Sequence, residues 1–482
     1  MNRSTILVLI AGAAVLSGCR AVGPDYQRPS LAAPDRFAGG APDAAKPEQA
    51  ADLARWWDRL GDPKLSTLID RALAGNFDLR VAASRVREAR ALRGVAAAGN
   101  KPTLDATSGA SRSRSSERAE NAFGAEKEAT SFDVGLDASW EIDLFGAVRR
   151  GVEAADADLA AAQEGGREVL VSLTAEVATS YVQLRSFQAR IKVVEDAIRA
   201  QRDTVELLDS RLQAGLSAEL ELQQATAQLA LRESRLPPLI SGARRSMYRL
   251  AVLCGVAPAA LVDELAEPGA LPDPGTDLPL GAPSELLLRR PDLRRLEREL
   301  AAATARIGVS TADLYPRLTL TGSFAFEAAD PGKLFNMDAR SWRIGPAVRW
   351  NLLDGGRTRR QVEAADERSR GALIAYESRF LIAMEEVENS LVSFTQEQSR
   401  RVHLARAVEA NTRAVQLATD RYTSGVGGFL DVLDGQRSLY DADEDLVSSN
   451  TDVTLAYISI FRALGGGWTP EELSGSAAPS SK

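Results

Sequence analysis

Strict alternation of apolar and polar residues marks the clearest strand of the chain, Phe132 to Asp143. Every even position from Phe132 to Ile142 is apolar, and the positions between them are polar or glycine. A period of two predicts a strand with one apolar and one polar face. The alternation alone leaves two interpretations open, a membrane-crossing strand and a soluble hairpin with one face on a core. The acidic positions on the polar side are Asp133, Asp137 and Glu141.

The same pattern returns in two later segments, residues 318–327 and 343–352, where Arg343 and Arg349 stand on the polar side. A weakly apolar strand is predicted from Leu104 to Ser113, and the polar stretch 114–130 is predicted to be a surface loop. The chain therefore contains two predicted hairpins, 104–143 and 318–352. Strands of about ten residues have the length that a tilted strand needs to cross a bilayer.

Two very long helical hairpins follow the predicted strands. Residues 146–214 contain no proline, and 69 helical residues would extend roughly 100 Å. We expect a turn at Gly215, a return helix that breaks at Pro237-Pro238, and a further helix to Leu253. The second hairpin is predicted over residues 356–424 and 430–464, with its turn at Gly425. Helices of this length predict coiled-coil hairpins outside any compact core.

The chain is duplicated at an offset of about 210 residues. Residues 149–156 (RRGVEAAD) return as residues 359–366 (RRQVEAAD), and Trp140 pairs with Trp350. This period is too long for a solenoid repeat, so it indicates a duplicated half-protein. The predicted organisation is a signal peptide at 1–18, an extended arm at 19–63, repeat one at 64–266, a Pro-rich linker at 267–283, repeat two at 284–468 and a flexible tail at 469–482.

The N-terminal segment resembles a lipoprotein leader. Residues 4–16 form an apolar run that is too short to span a membrane and ends in Leu16-Ser17-Gly18-Cys19. We expect Cys19 to carry S-diacylglycerol and N-palmitoyl groups, because two or more acyl chains anchor a protein stably. The alternative is an ordinary signal peptide with an incidental cysteine. Arg20 favours an outer-membrane address over retention in the inner membrane.

Composition excludes several classes of function. The formal net charge is −8, which gives no support to nucleic-acid binding. One histidine and two cysteines in 482 residues argue against a transition-metal site and against histidine-based catalysis. We expect no enzyme, no metal and no cofactor. A structural or transport protein remains.

Four spanning strands cannot close a barrel, because an open sheet edge in hydrocarbon leaves backbone groups unpaired. Several copies would therefore have to share one barrel. Two copies would give eight strands and a filled interior, whereas three would give twelve strands and a passage. The predicted fold class is an α+β membrane protein: a trimeric twelve-stranded outer-membrane β-barrel, four strands per protomer, continued by a long periplasmic α-helical coiled-coil barrel.

With these residues in view, the chain resembles TolC/OprM-type outer-membrane efflux channels, in the NodT-like lipoprotein branch. The resemblance covers essentially the whole mature chain. It implies a homotrimer in outer-membrane lipid, a periplasmic membrane-fusion adaptor and an inner-membrane RND-type pump. The motifs that carry it are Cys19 to Tyr26 (CRAVGPDY), Trp56-Trp57, Asp62-Pro63, residues 289–293 (RRPDL), 307–309 (IGV), Tyr315-Pro316, 318–323 (LTLTGS) and 463–468 (ALGGGW).

The resemblance also assigns roles to residues near the two helical turns. The adaptor-docking tips would be Arg211, Gly215, Leu216, Arg421, Gly425 and Val426. A periplasmic gate with an acidic ring would use Asp431, Asp434 and Tyr422, and repeat one offers Glu221 and Gln224 at the positions equivalent to the two aspartates. The gate arginine of the family is replaced here by Gly427, which leaves that latch open to question.

The strand residues Asp133, Asp137, Glu141, Arg343 and Arg349 are expected to line the barrel lumen. The leading hypothesis is a passive exit duct for drugs or other small toxic compounds. The alternatives are a periplasmic scaffold or adaptor lipoprotein, the exit duct of a type I protein secretion system, and an envelope enzyme. The last would need a converging pair of carboxylates, and the sequence offers none.

Overall fold

The computed structural model describes residues 21–31, 37–38, 53–116, 128–276 and 287–468. The chain divides into two compact units. One unit comprises the described parts of Met1–Ser30, Val86–Ala162 and Arg295–Tyr376 and contains the sheet. The other comprises the described parts of Leu31–Arg85, Gln163–Arg294 and Glu377–Lys482 and contains the helical turns and the ends of both repeats.

A four-stranded antiparallel sheet with strand order β1-β2-β3-β4 confirms the two predicted hairpins. The two hairpins are joined through β2 and β3, where Asp137 lies opposite Ser323. β1 and β4 are therefore the free outer strands of an open sheet. The strands are β1 Thr103–Arg114, β2 Glu128–Ile142, β3 Arg317–Ala328 and β4 Arg340–Arg349.

The strand bounds differ from prediction at both ends of the hairpins. β4 ends at Arg349, so Trp350 and Leu352 lie beyond the strand to which the alternation assigned them. The partner of Trp350 in this register would be Pro316, but β3 begins only at Arg317, so the ladder ends at the Arg317–Arg349 pair. At the other end, β1 extends to Arg114 and β2 begins at Glu128, so both strands enter the stretch predicted to be a loop. Arg112 of β1 and Glu128 of β2 form an ion pair of 2.8 Å.

The helices confirm the two long hairpins. Each repeat contains a helix of 67 residues followed by a helix of 35 residues. The helices are α1 Pro63–Gly75, α2 Phe77–Ala98, α3 Ala147–Gln213, α4 Glu219–Leu253, α5 Val262–Leu265, α6 Pro291–Ala312, α7 Arg357–Thr423 and α8 Phe429–Ala463.

The predicted break at Pro237-Pro238 is wrong, because α4 continues through both prolines to Leu253. Each proline lacks the N–H that a helix would use, which disfavours the helix locally. Packing on both sides of the pair compensates. Leu239 is buried in a cluster with Val194, Ile198 and Tyr440, and Leu236 packs against the same cluster.

Matching glycine caps end the helices of both repeats. Gly255 after α4 and Gly465 after α8 both have positive φ angles, 73° and 71°. Beyond each glycine, an N–H donates back to the carbonyl five residues earlier, from Val256 to Ala251 and from Gly466 to Phe461. This is the Schellman motif, in which the left-handed conformation favours glycine.

The ends of both repeats pack around buried aromatic rings. Trp56 is fully buried, stacks on Phe461 at 5.4 Å between ring centroids and meets Trp57 edge-on. Asp62 caps α1 by accepting from the N–H groups of Lys64 and Leu65. Cys254 is buried beside the carbonyl of Leu68, which confirms that it packs as a small apolar residue.

Within the part of the chain that the structure describes, no single helix is long and apolar enough to cross a membrane; one pair bent by 111°, α4 with the segment Pro258–Leu265, meets the criterion by length and composition.

Candidate functional site

The register of the four strands gives the sheet one polar and one apolar face. The five strand residues predicted to line a lumen all lie on the same face, because Asp137 pairs with Ser323 and Ser323 with Arg343. Polar residues from all four strands share that face: Asp105, Thr107, Asp133, Asp137, Glu141, Thr319, Thr321, Ser323, Glu327, Arg343 and Arg349. The opposite face carries Leu104, Val134, Leu136, Trp140, Leu320, Phe324, Trp342, Ile344 and Val348.

Side chains on the polar face bind one another across the strands. The hydroxyl of Thr107 donates to Asp137 at 3.2 Å, and the hydroxyl of Ser131 donates to Glu327 at 3.1 Å. The face therefore combines hydroxyl groups with carboxylates that remain within reach of water, because Asp137 is exposed. Such a surface suits contact with water and dissolved solutes rather than with hydrocarbon.

The two helical turns have the same backbone geometry. Gly215 and Gly425 have φ angles of 70° and 77°. Leu216 N–H donates to the Arg211 carbonyl at 2.8 Å, and Val426 N–H donates to the Arg421 carbonyl at 3.0 Å. Each turn is therefore a Schellman motif, and the prediction that glycine permits these reversals is confirmed.

The side chains just beyond each turn are apolar and exposed. Leu216 and Val426 each expose 68% of their surface, and Leu220 and Leu430 follow at 67% and 63%. Adjacent exposed apolar side chains at a tip are typical of a protein contact surface.

The two tips share one hydrophobic cluster. Its fully or largely buried residues come from all four long helices: Leu208, Ala225, Tyr422, Phe429 and Val432. The ring of Tyr422 packs on Phe429 at 5.6 Å between centroids and lies 4.9 Å from the Arg211 guanidinium. The tips of the two hairpins are thus held together within one chain.

One hydrogen bond of this cluster involves a predicted gate residue. The hydroxyl of Tyr422 donates to Glu221 Oε2 at 3.2 Å, and Ser217 donates to the same oxygen at 2.5 Å. Burial raises the pKa of Tyr422, so the hydroxyl remains a donor at neutral pH. Glu221 is the repeat-one equivalent of Asp431, which the sequence shows. Its hydrogen bond to Tyr422 was not predicted, because only tertiary packing brings Glu221 and Tyr422 together.

The two aspartates of the predicted acidic ring differ in their contacts. Both Asp431 and Asp434 are exposed on α8. Asp434 forms an ion pair of 2.9 Å with Arg437, one turn further along the helix. Asp431 lies in the first turn, where a negative charge is favoured by the helix dipole.

Sequence analysis also missed a buried ionic network around the RRPDL motif. Arg290 binds both oxygens of Asp292, at 3.0 and 2.8 Å, and also contacts Glu386 at 2.7 Å. Arg379 donates to Asp292 at 2.7 Å. The motif was visible in the sequence, but its partners lie about 90 residues away along the chain.

Among the described residues, no group of three histidine, cysteine, aspartate or glutamate side chains is placed to hold a metal ion. The two-faced sheet and the paired tips are the features of the described residues that bear on function.

The comparison with protein families decides the class. The family model for outer membrane efflux proteins matches residues 68–256 and 282–466, one match for each repeat. The chain belongs to this family. Nodulation protein T of Rhizobium leguminosarum bv. trifolii is 30% identical over 95% of this chain and 96% of its own length, and OprJ of Pseudomonas aeruginosa is 31% identical over 94% of each.

The solved structures agree with the family. The outer-membrane channel OprN superimposes with a TM-score of 0.87 at 37% identity, over 93% of this chain and all of that one. The predicted fold class is therefore confirmed: a trimeric barrel continued by a helical tunnel. The protein is an outer-membrane efflux channel, the outer-membrane component of a tripartite pump, and it extends into the periplasm. Cys19 lies outside the described residues, so its acylation stays a prediction.

Proposed function

We propose that the polar face of the sheet lines the water-filled lumen of the trimeric channel, through which drugs or other small toxic compounds leave passively. The observation that carries this proposal is the register, which places polar residues from all four strands on one face and the large apolar residues on the other. The charged residues on the apolar face, among them Arg112 and Glu128, lie at the ends of their strands. Neighbouring copies would complete the barrel through β1 and β4, the free outer strands.

Two adjacent cysteine substitutions test the assignment of the faces. Asp137→Cys should react with a water-soluble maleimide and lower the channel's conductance, whereas Leu136→Cys, one residue away on the other face, should be shielded by lipid. The native Cys254 is buried and is a suitable background thiol. Equal labelling of the two variants in membranes would contradict the proposal.

The tip cluster is proposed to be the closed periplasmic end, with Tyr422 bound to Glu221 and with three copies of Asp431 and Asp434 around the axis. Rings of carboxylates favour cations in a pore. We expect small conductance and mostly closed channels in a planar bilayer, and Asp431→Asn with Asp434→Asn should lower the cation preference. Unchanged ion selectivity in the double variant would reject the acidic ring.

The exposed tips are proposed to dock a periplasmic membrane-fusion adaptor that links the channel to an inner-membrane RND-type pump. The surface would consist of the two turns, with Arg211, Gly215 and Leu216 in one and Arg421, Gly425 and Val426 in the other. Leu216→Glu with Val426→Glu should abolish co-purification of the adaptor and drug resistance while the trimer stays intact. Ile374→Glu, an exposed apolar position in the first third of α7, tests whether any added charge has this effect.

A further inference from the structure

The segment that follows Cys19 in the sequence lies tightly against the sheet-containing unit. Val22 N–H donates to the carbonyl of Phe145 at 3.0 Å, just beyond the end of β2. Ala21 contacts the backbone of Gly146 so closely that a Cβ at Gly146 would lie 2.4 Å from the Cβ of Ala21. From here on, the arm means residues 21–28, the first described part of the predicted segment 19–63. The surface formed by Phe145, Gly146, Arg150 and Gly308 is called the arm seat.

Arg150 is the centre of the arm seat. Its guanidinium donates to the carbonyls of Val22 and Gly23, at 3.1 and 3.3 Å, and to Asp25 Oδ1 at 2.6 Å. The side chain is only 5% exposed, and Glu153 at 2.7 Å orients it from one helical turn away. A buried guanidinium that binds two carbonyls and a carboxylate fixes both the position and the direction of the arm.

Two glycines allow the arm to approach this closely. Gly23 has a φ angle of 88°, and a Cβ there would lie 2.4 Å from the Cα of Gly308. A Cβ at Gly308 would in turn lie 2.9 Å from the Val22 carbonyl oxygen. Further along, Tyr26 donates to Glu297 at 3.2 Å, and Arg28 forms an ion pair with the same carboxylate at 3.0 Å.

The second repeat shows that the local sequence alone does not build this seat. Arg360 occupies the position of Arg150 in the duplicated motif and forms the equivalent ion pair, with Glu363 at 2.6 Å. Its side chain is nevertheless 80% exposed. A Cβ at Gly356, the equivalent of Gly146, would meet nothing within 4 Å. The copy of the motif in repeat one therefore binds the arm. The copy in repeat two binds no comparable segment among the described residues.

We propose that the arm seat is a positioning site for the lipid anchor: it holds the chain directly after Cys19 at the junction of β2 and α3, so that the acyl chains enter the membrane beside the sheet. Ala21 lies two positions after Cys19, and two residue steps span at most about 7 Å. Arg150 acts as a positioning residue, since it holds the arm and not the lipid. The inference rests on the proposed acylation of Cys19.

Trypsin measures the seating of the arm directly. Cleavage of the Arg20–Ala21 bond requires Ala21 and Val22 to leave the arm seat, so the seated arm protects this bond. In the intact trimer, Arg150→Ala should raise the rate of cleavage at this bond at least about tenfold, in proportion to the unseated population. Arg360→Ala is the matched control and should leave the rate unchanged. Asp25→Ala alters an exposed carboxylate rather than the seat itself and should raise the rate about threefold.

Mass spectrometry of the released Cys19-Arg20 fragment reports acylation separately, so an unacylated cysteine and an unseated arm are distinguishable. Equal cleavage rates in the parent, Arg150→Ala and Asp25→Ala proteins would overturn the arm seat.

A second measurement separates positioning of the anchor from a general contribution to folding. Arg150→Ala should reduce the yield of SDS-resistant trimer in outer membranes when the chain is acylated. In a Cys19→Ser chain, exported behind a leader that is cleaved without acylation, the same substitution should cause no further loss. An equal loss in both backgrounds would show that Arg150 only stabilises the fold and would overturn the positioning role.

Discussion

The two repeats tie their ends together with different chemistry at equivalent places. In repeat one, the amide of Asn76 donates to the carbonyl of Leu253 at 3.0 Å. In repeat two, the guanidinium of Arg290 donates to the carbonyl of Ala463 at 2.6 Å. Both donors directly precede a helix, and both acceptors are the last residue of the 35-residue helix of their repeat.

The surroundings of the two ties differ more than the ties themselves. Asn76 is neutral and also caps α2 by accepting from the N–H groups of Asp78 and Leu79. Arg290 carries a charge into the same kind of site, where it is matched by Asp292 and Glu386. Both repeats therefore share the backbone junction, but only the tie of the second repeat contains a buried charge and the partners that balance it.

The largest expected effect comes from removing one of those partners. Asp292→Ala would remove one of the two carboxylates that bind the buried Arg290 and leave Glu386 to balance both Arg290 and Arg379. The substitution should destabilise the protein by about 3 to 5 kcal/mol. Asp78 occupies the equivalent position in α2 but is exposed, so Asp78→Ala should cost less than about 1 kcal/mol. The midpoints of guanidinium unfolding in detergent compare the two variants, and similar midpoints would refute the asymmetry.

The second helices of the two long hairpins, α4 and α8, can be made more alike. Pro237→Ala with Pro238→Ala restores two backbone N–H donors in α4 and should stabilise the protein by about 3 kcal/mol. Ser448→Pro introduces a proline at the equivalent place in α8 and should cost about 3 kcal/mol. Thermal unfolding followed by circular dichroism measures both changes. A destabilised alanine variant would mean that the prolines contribute packing that the backbone hydrogen bonds cannot replace.

Acid should weaken the Arg290 tie of repeat two, whereas the Asn76 amide that forms the tie of repeat one does not titrate. Burial alone would raise the pKa of Asp292, but Arg290 and Arg379 outweigh it and lower the pKa to about 2. The Asp292 carboxyl is charged in both the folded and the unfolded state above about pH 4. Its contribution of about 2 kcal/mol to the free energy of unfolding is therefore complete there and is lost as the pH falls from about 4 to 2. Asp292→Asn lacks this titration. The difference in stability between the parent and this variant should therefore shrink across that range, and a constant difference would contradict the assignment.

The smallest effect tests the similarity of the two tips. Gly215→Ala and Gly425→Ala should each cost about 1 kcal/mol, because both glycines have positive φ angles and open space around them. Gly371, inside the first third of α7, also has open space but no positive φ angle, so Gly371→Ala should stabilise by up to about 1 kcal/mol. Unequal costs at the two tips would show that the turns differ in their contacts as well as in their backbone.

Much of the architecture was predictable because its signals are local and repeated. Alternation in the segment Phe132 to Asp143 predicted a strand and its polar face, and the absence of proline predicted α3. Gly215 and Gly425 marked the turns, since a left-handed residue is required there. The break at Pro237-Pro238 was predicted wrongly for the same reason, because a local signal takes no account of the packing of Leu239.

The sequence by itself thus determined the strands, the long helices, the turns and the duplication, because each depends on residues close together in the chain. Only the tertiary structure decided which copy of a repeated motif acquires partners. Arg150 and Arg360 lie in eight-residue motifs that differ only at Gly151 and Gln361, yet one is buried against the arm and the other is exposed. Tyr422 and Glu221 are 201 residues apart, and Arg290 and Glu386 are 96 apart. Such pairs depend on how helices from different parts of the chain pack, which no local pattern records.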